Sequence, residues 1–178
     1  MTLKFETERL LLRPFQEDDA PFLFELNSDE EVMRYTGDVP FKSIEEARKF
    51  AIDYIHKPDS QFIKYQMGRL AVIRKEDHAF IGWSGLKYHP EENFVDTGYR
   101  LMKKYWGKGY ATESTKRVLQ HGFEDHELDA VVAHVHEHNI GSQRVALKLN
   151  MKLDHRFLWE GKEPARCYKI TRDEYRNT

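Results

Sequence analysis

Residues 98–113 place a short basic turn between an apolar strand and an amphipathic helix. The turn carries Gly107 and Gly109, and two glycines so spaced allow successive backbone N–H groups to face the same side. The helix that follows adds its unpaired amides and the positive end of its dipole. Three lysines surround the turn: Lys103, Lys104 and Lys108. The segment therefore predicts a binding site for a di-anion such as a pyrophosphate.

A bare Gly-x-Gly turn also occurs in purely structural loops, so its context matters. The dinucleotide-binding fingerprint requires a third glycine where Thr112 stands, and the nucleoside-triphosphate loop requires Gly-Lys-Ser/Thr after four spacer residues. Neither pattern fits. The segment Lys104-Tyr-Trp-Gly107-Lys-Gly109 instead resembles the signature of the GNAT superfamily of N-acetyltransferases, Gln/Arg-x-x-Gly-x-Gly/Ala, with Lys at the first position.

Two further stretches extend the resemblance towards the branch that contains the ribosomal-protein N-acetyltransferases. The opening sequence of that branch is similar to Thr7-Glu-Arg-Leu-Leu-Leu-Arg-Pro14, followed by Glu-Asp. The last strand of that branch and the residues after it are similar to Tyr168-Lys-Ile-Thr-Arg-Asp-Glu-Tyr175. The resemblance implies an α/β GNAT fold in one domain over residues 1–178. Such a fold has a mixed, mostly antiparallel sheet of six to seven strands, flanked by helices and splayed between strands 4 and 5.

The resemblance also implies acetyl-coenzyme A as co-substrate and names the residues that would hold it. In the family the glycine turn grips the pyrophosphate, the pantetheine arm bonds to the main chain of the fourth strand, and an Asn contacts the pantetheine. The matching positions are Tyr99, Arg100, Leu101, Lys104, Tyr105, Trp106, Gly107, Lys108, Gly109, Tyr110, Ala111, Thr112 and Asn139.

Acetyl transfer to an amine requires a base, donors for the developing oxyanion and a proton for the departing thiolate. Asn139-Ile-Gly-Ser142 matches the family's Asn-x-x-Ser, and the resemblance implies that Ser142 supplies this proton. Many other members use a Tyr two helical turns after the Asn, where this chain has Ala146. The alternative is that Asn139 and Ser142 only cap a helix.

For the general base we name Asp96, which precedes Gly98-Tyr99 where relatives carry an acid. Strand alternation places it on the same face as Gly98, a residue that suits a bulge or a close approach by a ligand. Asp96 could equally be solvated or salt-bridged. Glu91 and Glu92, acting through water, are further candidates.

The acceptor amine is left open between a protein N-terminus and a small molecule. Four aromatic residues could wall its pocket or simply pack helices onto the sheet: Tyr35, Phe41, Phe50 and Tyr54. Three acids, Asp29, Glu30 and Glu31, would suit a cationic amine, although a solvated helix N-terminus explains them equally well.

Histidines alternate at positions 134, 136 and 138, so they would share one face of a strand, as metal ligands sometimes do. The sequence has no fourth ligand at characteristic zinc spacing, and acetyl transfer needs no metal, so no metal site is predicted. The single Cys167 excludes an internal disulfide and is predicted to be a packing residue rather than a nucleophile.

The bulk composition excludes several other classes of protein. With 178 residues, 40% hydrophobic content and a net charge of −2, the chain has one sizeable core and is no polycation for nucleic acid. No apolar run approaches the roughly 20 residues that span a bilayer, so a cytoplasmic protein, monomeric or homodimeric, is expected. The alternative function, from a different class of protein, is a sensor that binds coenzyme A or an acyl-CoA without turnover.

Hydrophobic patterning predicts the order of the elements. Strands are predicted over residues 8–15, 68–74, 79–88, 94–102, 128–135, 153–159 and 166–170. Helices are predicted after the capping residues 16–19 and over residues 28–35, 44–56, 112–123 and 139–149. Residues 75–78 and 89–93 are predicted to be turns.

Overall fold

The computed structural model describes residues 3–177; residues 1, 2 and 178 of the predicted domain lie outside this range. Its centre is one eight-stranded sheet with strand order β1-β2-β3-β4-β5-β6-β8-β7. The strands are β1 Phe5–Glu6, β2 Leu10–Arg13, β3 Arg69–Arg74, β4 Phe80–His89, β5 Phe94–Leu101, β6 Ala130–His136, β7 Lys152–Trp159 and β8 Glu163–Thr171. The strand count exceeds the predicted six to seven because β1, with two residues, is too short to show a pattern.

Between residues 3 and 177, seven α-helices connect and cover these strands. They are α1 Ala20–Ser28, α2 Glu30–Met33, α3 Ile44–His56, α4 Gln61–Tyr65, α5 Tyr110–Gln120, α6 Ile140–Lys148 and α7 Arg172–Arg176. Short 3₁₀ turns cover Glu17–Asp19 and Lys103–Tyr105, and a π-helical turn, His121–Asp125, continues α5. None of the helices between residues 3 and 177 has the length and apolar character needed to cross a bilayer.

The sheet opens between β5 and β6. All other neighbouring strands pair antiparallel, whereas β5 and β6 run parallel and share a single registered pair, Asp96 with Val132. Beyond that pair the two strands diverge. These are the fourth and fifth strands of the sequence-based prediction, so the splay lies where the prediction placed it.

Helices cover both faces of the sheet. On one face, Leu86 of β4 contacts Gly122 of the π-helical turn that extends α5. On the other face, the ring of Phe22 in α1 stacks on Phe80 of β4 with ring centroids 5.7 Å apart. Successive residues of a strand point to opposite faces, so β5 presents side chains to both layers.

Most predicted elements are present, and two differences bear on the site. Helix α3 has the predicted bounds, because the Ser43 side chain caps it by accepting the Glu46 N–H at 3.2 Å. The five-residue helix α4 was not predicted. Strand β4 extends to His89, which the sequence pattern assigned to the following turn; pairing with Phe94 of β5 keeps His89 in the strand.

Candidate active site

A cleft of about 1320 Å³ follows the opening between β5 and β6. Side chains from both faces of the sheet line it: Tyr99, Thr115 and Ser142 belong to the layer of α5 and α6, and His89 and Asp96 to the layer of α1 and α3. The cleft therefore passes through the sheet at the point where two strands separate.

The glycine turn forms one end of this cleft. Gly107 and Gly109 have φ angles of +73° and +84°, in the left-handed region that favours glycine, and Gly109 occupies the cap position of α5. No side chain caps that helix. Within the described residues, the amides of residues 107–112 donate to no acceptor. Six consecutive unpaired N–H groups at a helix N-terminus form a cradle for an anion.

A network from the N-terminal motif holds the turn in place. The carboxylate of Glu113 accepts hydrogen bonds from the Thr7 hydroxyl at 2.6 Å and from the backbone N–H and Nε of Arg9 at 2.9 and 2.6 Å. Arg9 also donates to the carbonyl of Lys108 at 3.0 Å. Two motifs that the sequence placed about 100 residues apart are thus one structural unit.

The aromatic side chains around the turn line the cleft and also anchor the turn. Tyr105 and Tyr110 are buried, with ring centroids 6.4 Å apart. Trp106 is partly exposed, and its Nε1 donates to the carbonyl of Leu101 at 2.7 Å. Lys104 lies 3.9 Å from Glu25, with both side chains exposed. Contact of these residues with coenzyme A, like that of Lys108, Ala111 and Thr112, remains a prediction.

On the α6 side of the cleft, two hydroxyls meet. The Tyr99 hydroxyl and Ser142 Oγ are 3.0 Å apart. Burial raises the pKa of Tyr99, partly offset by this hydrogen bond. Asn139 caps α6 by accepting the Ser142 N–H at 3.1 Å, as the structural alternative expected, while its side-chain NH₂ group donates to no acceptor in the described chain. Sequence reasoning used only the Tyr99 main chain and missed its hydroxyl.

On the opposite side, Asp96 is held by two partners. Its Oδ1 accepts from Arg69 at 2.5 Å, and its Oδ2 lies 2.9 Å from Nε2 of His89. Burial alone would raise its pKa, but the Arg69 charge and the His89 hydrogen bond outweigh burial and lower the pKa to about 2. A carboxylate with so low a pKa is a weak base near neutral pH. The structure therefore argues against Asp96 as the proton acceptor and supports the salt-bridged alternative.

The glycine at position 98 is explained by Arg69. A Cβ there would lie 3.1 to 3.3 Å from the guanidinium atoms of Arg69. Pairing between β4 and β5 is continuous through Gly98, so the bulge interpretation is wrong. The group that approaches Gly98 in the structure is the Arg69 guanidinium, and approach by a ligand stays a prediction. The Arg69 guanidinium also donates to the carbonyl of Gly85 in β4.

Arg100, proposed from the resemblance as a main-chain contact, has its side chain on the α1 face. The guanidinium is buried, donates to Asn27 of α1 at 2.6 Å and is ion-paired with Asp38 in the loop before α3. Leu101 is buried in the core. The side chains of both residues are therefore structural.

Three of the four aromatic candidates line the cleft: Tyr35, Phe50 and Tyr54. Phe50 also packs on Phe41, with ring centroids 5.4 Å apart. The Tyr54 hydroxyl accepts the Arg69 N–H at 2.8 Å, so Phe50 and Tyr54 each have a structural role as well. Among the acids, Asp29 caps α2, whereas Glu31 lines the cleft and pairs with Lys103 at 2.5 Å.

The three alternating histidines all line the cleft. Their side chains pack against different neighbours and do not converge on one point. His134 packs against Phe94 and Phe157, with ring centroids 5.3 and 4.8 Å away. His136 stacks on Tyr35 at 4.8 Å. In the described chain the one grouping of three metal-type ligands lies elsewhere: Asp154, His155 and Cys167.

Cys167 is buried in β8, as the packing interpretation expected. Burial, with a smaller contribution from the charge of Asp154, raises the pKa of its thiol to about 11. A thiol in that state is a poor nucleophile.

A glycine turn with unpaired amides before a helix, beside a sheet opened between its two parallel strands, is typical of the acetyltransferase class. The family model described as acetyltransferase (GNAT) domain matches residues 9–152, and the chain belongs to this family. It is similar to an uncharacterized N-acetyltransferase of Bacillus licheniformis, with 32% identity over 147 residues that cover 82% of this chain and 80% of the relative.

Two solved structures show the same fold. A GNAT-family acetyltransferase from Bacillus anthracis has a TM-score of 0.82 at 25% identity, covering 97% of this chain and 100% of the other. A spermidine N-acetyltransferase from Vibrio cholerae, solved with CoA and spermine, has a TM-score of 0.78 and covers 96% of this chain and 100% of its own. At 20% identity the second likeness concerns the fold alone.

Proposed function

We propose that this protein transfers the acetyl group of acetyl-coenzyme A directly to a primary amine, either a protein N-terminus or a small molecule. The observation that carries the proposal is the cleft that crosses the sheet between β5 and β6. One end has an anion cradle for the donor, and the other face has charged and aromatic side chains for an acceptor. Donor and acceptor can then meet in the gap between the strands.

The donor end fits coenzyme A on its own geometry. The six unpaired amides of residues 107–112 match the oxygens of a pyrophosphate, and the exposed Lys104 and Lys108 add positive charge. The opened edge of β5 offers main-chain groups to the pantetheine amides, with Asn139 across the gap. The bound co-substrate supplies an activated acetyl thioester.

The paired hydroxyls of Tyr99 and Ser142 support a proton donor for the thiolate. A family member with Tyr two turns after Asn139 would carry its hydroxyl at position 146, where this chain has Ala. Here Tyr99 brings a phenol from the neighbouring strand to 3.0 Å from Ser142. We assign Ser142 as the acid and Tyr99 as the group that replenishes its proton.

The acceptor side of the cleft supports a cationic substrate. Glu92 and Glu160 line it and have no salt-bridge partner within residues 3–177. The aromatic rings of Tyr35, Phe157 and Trp159 line the same region. Carboxylates and aromatic faces are the groups that attract an ammonium.

A thiol-release assay with acetyl-coenzyme A tests the function directly. The acceptor panel should contain polyamines, amino acids and peptides with free N-termini, beside calorimetric titration with coenzyme A. We expect micromolar binding of coenzyme A and turnover with one acceptor class. Binding without turnover on any amine would support the sensor alternative, and absence of binding would contradict the assignment of the glycine turn.

Direct transfer makes a separate prediction. Incubation of the protein with acetyl-coenzyme A alone should leave the intact mass unchanged, because buried Cys167 is a poor nucleophile. A stable mass increase of one acetyl group on a side chain in the cleft would overturn direct transfer and indicate a covalent intermediate.

A further inference from the structure

We infer that His89 is the general base of this site and that Asp96 is the positioning residue that orients it. The inference rests on the proposed acetyl transfer and changes the base assignment made from sequence. In this assignment the carboxylate of Asp96, which Arg69 anchors, fixes the orientation of the imidazole. The pair lies on the acceptor side of the cleft, beside the single registered contact of β5 with β6.

The hydrogen bonds of His89 determine which ring nitrogen is available. Nε2 lies 2.9 Å from Oδ2 of Asp96, whose carboxylate can only accept, so Nε2 carries the hydrogen. Nδ1 has no partner in residues 3–177, and it is not one of the fully buried polar atoms without a partner. The Nδ1 lone pair is therefore unpaired in the described chain, on a ring that lines the cleft.

The position of the ring is fixed from two sides. The imidazole stacks on Phe94 with centroids 4.5 Å apart and an interplanar angle of 16°. Asp96 is itself fixed by Arg69 at 2.5 Å, and Arg69 also donates to Gly85 and packs on the ring of Trp83. A carboxylate anchored in this way holds one tautomer and one orientation of the histidine, as an Asp does in a catalytic triad.

Several charged groups face His89 from the neighbouring elements. Asp96 of β5 and Arg69 of β3 form the anchored ion pair, and Lys87 precedes His89 by two residues on the same face of β4. Glu92 of the β4–β5 turn and His134 of β6 line the cleft close by.

His89 Nδ1 takes one proton from the acceptor ammonium, and the amine nitrogen then forms a bond to the acetyl carbon. The carbon–sulfur bond breaks, its electron pair leaves on sulfur, and the Ser142 hydroxyl protonates the thiolate. Ser142 takes a proton back from the Tyr99 hydroxyl, which is reprotonated from solvent. The amide nitrogen loses its second proton to water, and the imidazolium returns its proton to solvent through the open cleft.

His134 is the rival histidine on the same side of the cleft. Burial, reinforced by the charge of His89, lowers its pKa, whereas the charge of Asp96 opposes this shift. Its ring is packed by Phe94 and Phe157, and no carboxylate fixes its tautomer in the described chain. His134 lacks the orienting contact that His89 has.

The test compares His89→Gln with His134→Gln and His155→Gln across a range of pH. Gln can still donate to Asp96 but cannot accept a proton at neutral pH. His155 provides the matched control, because it forms the same kind of pair, 2.7 Å from Asp154, outside the cleft. For His89→Gln we expect kcat to fall about 100-fold or more, with loss of the acidic limb of the pH profile, where protonation of the base removes activity, and an unchanged KM for acetyl-coenzyme A. His155→Gln should behave as the wild type.

Imidazole rescue and NMR complete the test. Added imidazole should restore part of the activity of His89→Ala, and heteronuclear NMR of the unliganded protein should show His89 with hydrogen on Nε2. This tautomer should be lost in Asp96→Asn. Full activity of His89→Gln, or hydrogen on Nδ1 in the wild type, would overturn the inference while acetyl transfer stands. Absence of turnover in the wild type would contradict the proposed function, and the tautomer measurement would still decide the Asp96–His89 arrangement.

Discussion

At the scale of single residues, the two halves of the site depend on the alternation of one strand. Tyr99 of β5 reaches Ser142 on the α6 side, and Asp96 of the same strand reaches His89 on the opposite side. Odd and even positions of a strand face opposite layers. A strand beside the opening can therefore place a proton donor and an oriented base on the two sides of one acetyl group.

Removal of either hydroxyl should slow acetyl transfer. For Ser142→Ala we expect kcat to fall about 10-fold to 100-fold, with a small change in the affinity for coenzyme A, because the thiolate loses its proton donor. For Tyr99→Phe we expect a smaller loss, since Ser142 can exchange its proton with water. Steady-state kinetics with both substrates varied would measure these effects.

The control for the phenol is Tyr88→Phe. The Tyr88 hydroxyl lies 2.8 Å from Asn93 and outside the cleft, so its removal should leave kcat and KM unchanged. If Ser142→Ala and Tyr99→Phe also retain wild-type kcat, water protonates the thiolate and the assigned acid is wrong.

At the scale of elements, the glycine turn combines backbone conformation with binding. In Gly109→Ala a Cβ is forced into the left-handed region, at a cost of about 1–2 kcal/mol. If the turn relaxes, the six amides no longer face one anion. We therefore expect calorimetry to show coenzyme A binding weakened about 10-fold or more.

Gly161→Ala separates the conformational cost of the added Cβ from the loss of coenzyme A binding. Gly161 has a φ of +71° in the β7–β8 turn, and a Cβ there meets nothing within 4 Å, so the conformational cost is similar. Its free energy of unfolding should fall as in Gly109→Ala, but its affinity for coenzyme A should not change. Equal binding by both variants would contradict the role of the turn.

The hydrogen bonds of Glu113 in α5 with Thr7 and Arg9, which lie between β1 and β2, predict that a variant outside the anion cradle weakens coenzyme A binding. Glu113→Gln removes the charge that accepts from Thr7 and Arg9, and charged hydrogen bonds of this kind contribute about 1.5–3 kcal/mol. We expect the free energy of unfolding in urea to fall by about 2 kcal/mol and coenzyme A binding to weaken. Glu76→Gln, an exposed partner of Arg74, should change neither quantity measurably.

The sequence predicted what depends on neighbouring residues. The Ser43 cap gave the start of α3, and the Gly107–Gly109 turn gave the anion cradle, because both are local. The short helix α4 was missed because five residues cannot show a helical period. The contact of His89 with Asp96 depends on the register of β4 against β5, and no local pattern reports that register.

At the scale of the whole molecule, the Arg69–Asp96 pair joins three strands. Arg69 begins β3, it donates to the carbonyl of Gly85 in β4, and Asp96 lies in β5 where that strand last pairs with β6. Both side chains are about 15% exposed, so their attraction is screened much less than that of a surface pair. The pair stabilises the sheet next to its opening and fixes the orientation of His89 at the same time.

Asp96→Asn should therefore change how the stability of the protein depends on pH. The neutral amide leaves the guanidinium of Arg69 without its anion, which costs about 3 kcal/mol at pH 7. The pKa of Asp96 falls from its usual 3.8 to about 2, so its stabilisation is complete above about pH 4 and is lost as pH falls towards 2. Urea unfolding should show that the difference in the free energy of unfolding between wild type and Asp96→Asn narrows as the pH falls from about 4 towards 2. Asp53→Asn removes a carboxylate that is paired with the exposed Lys49, so solvent screens the pair and any convergence should be much smaller. Parallel curves for Asp96→Asn down to pH 2 would mean that Asp96 is not held as the anion of this pair.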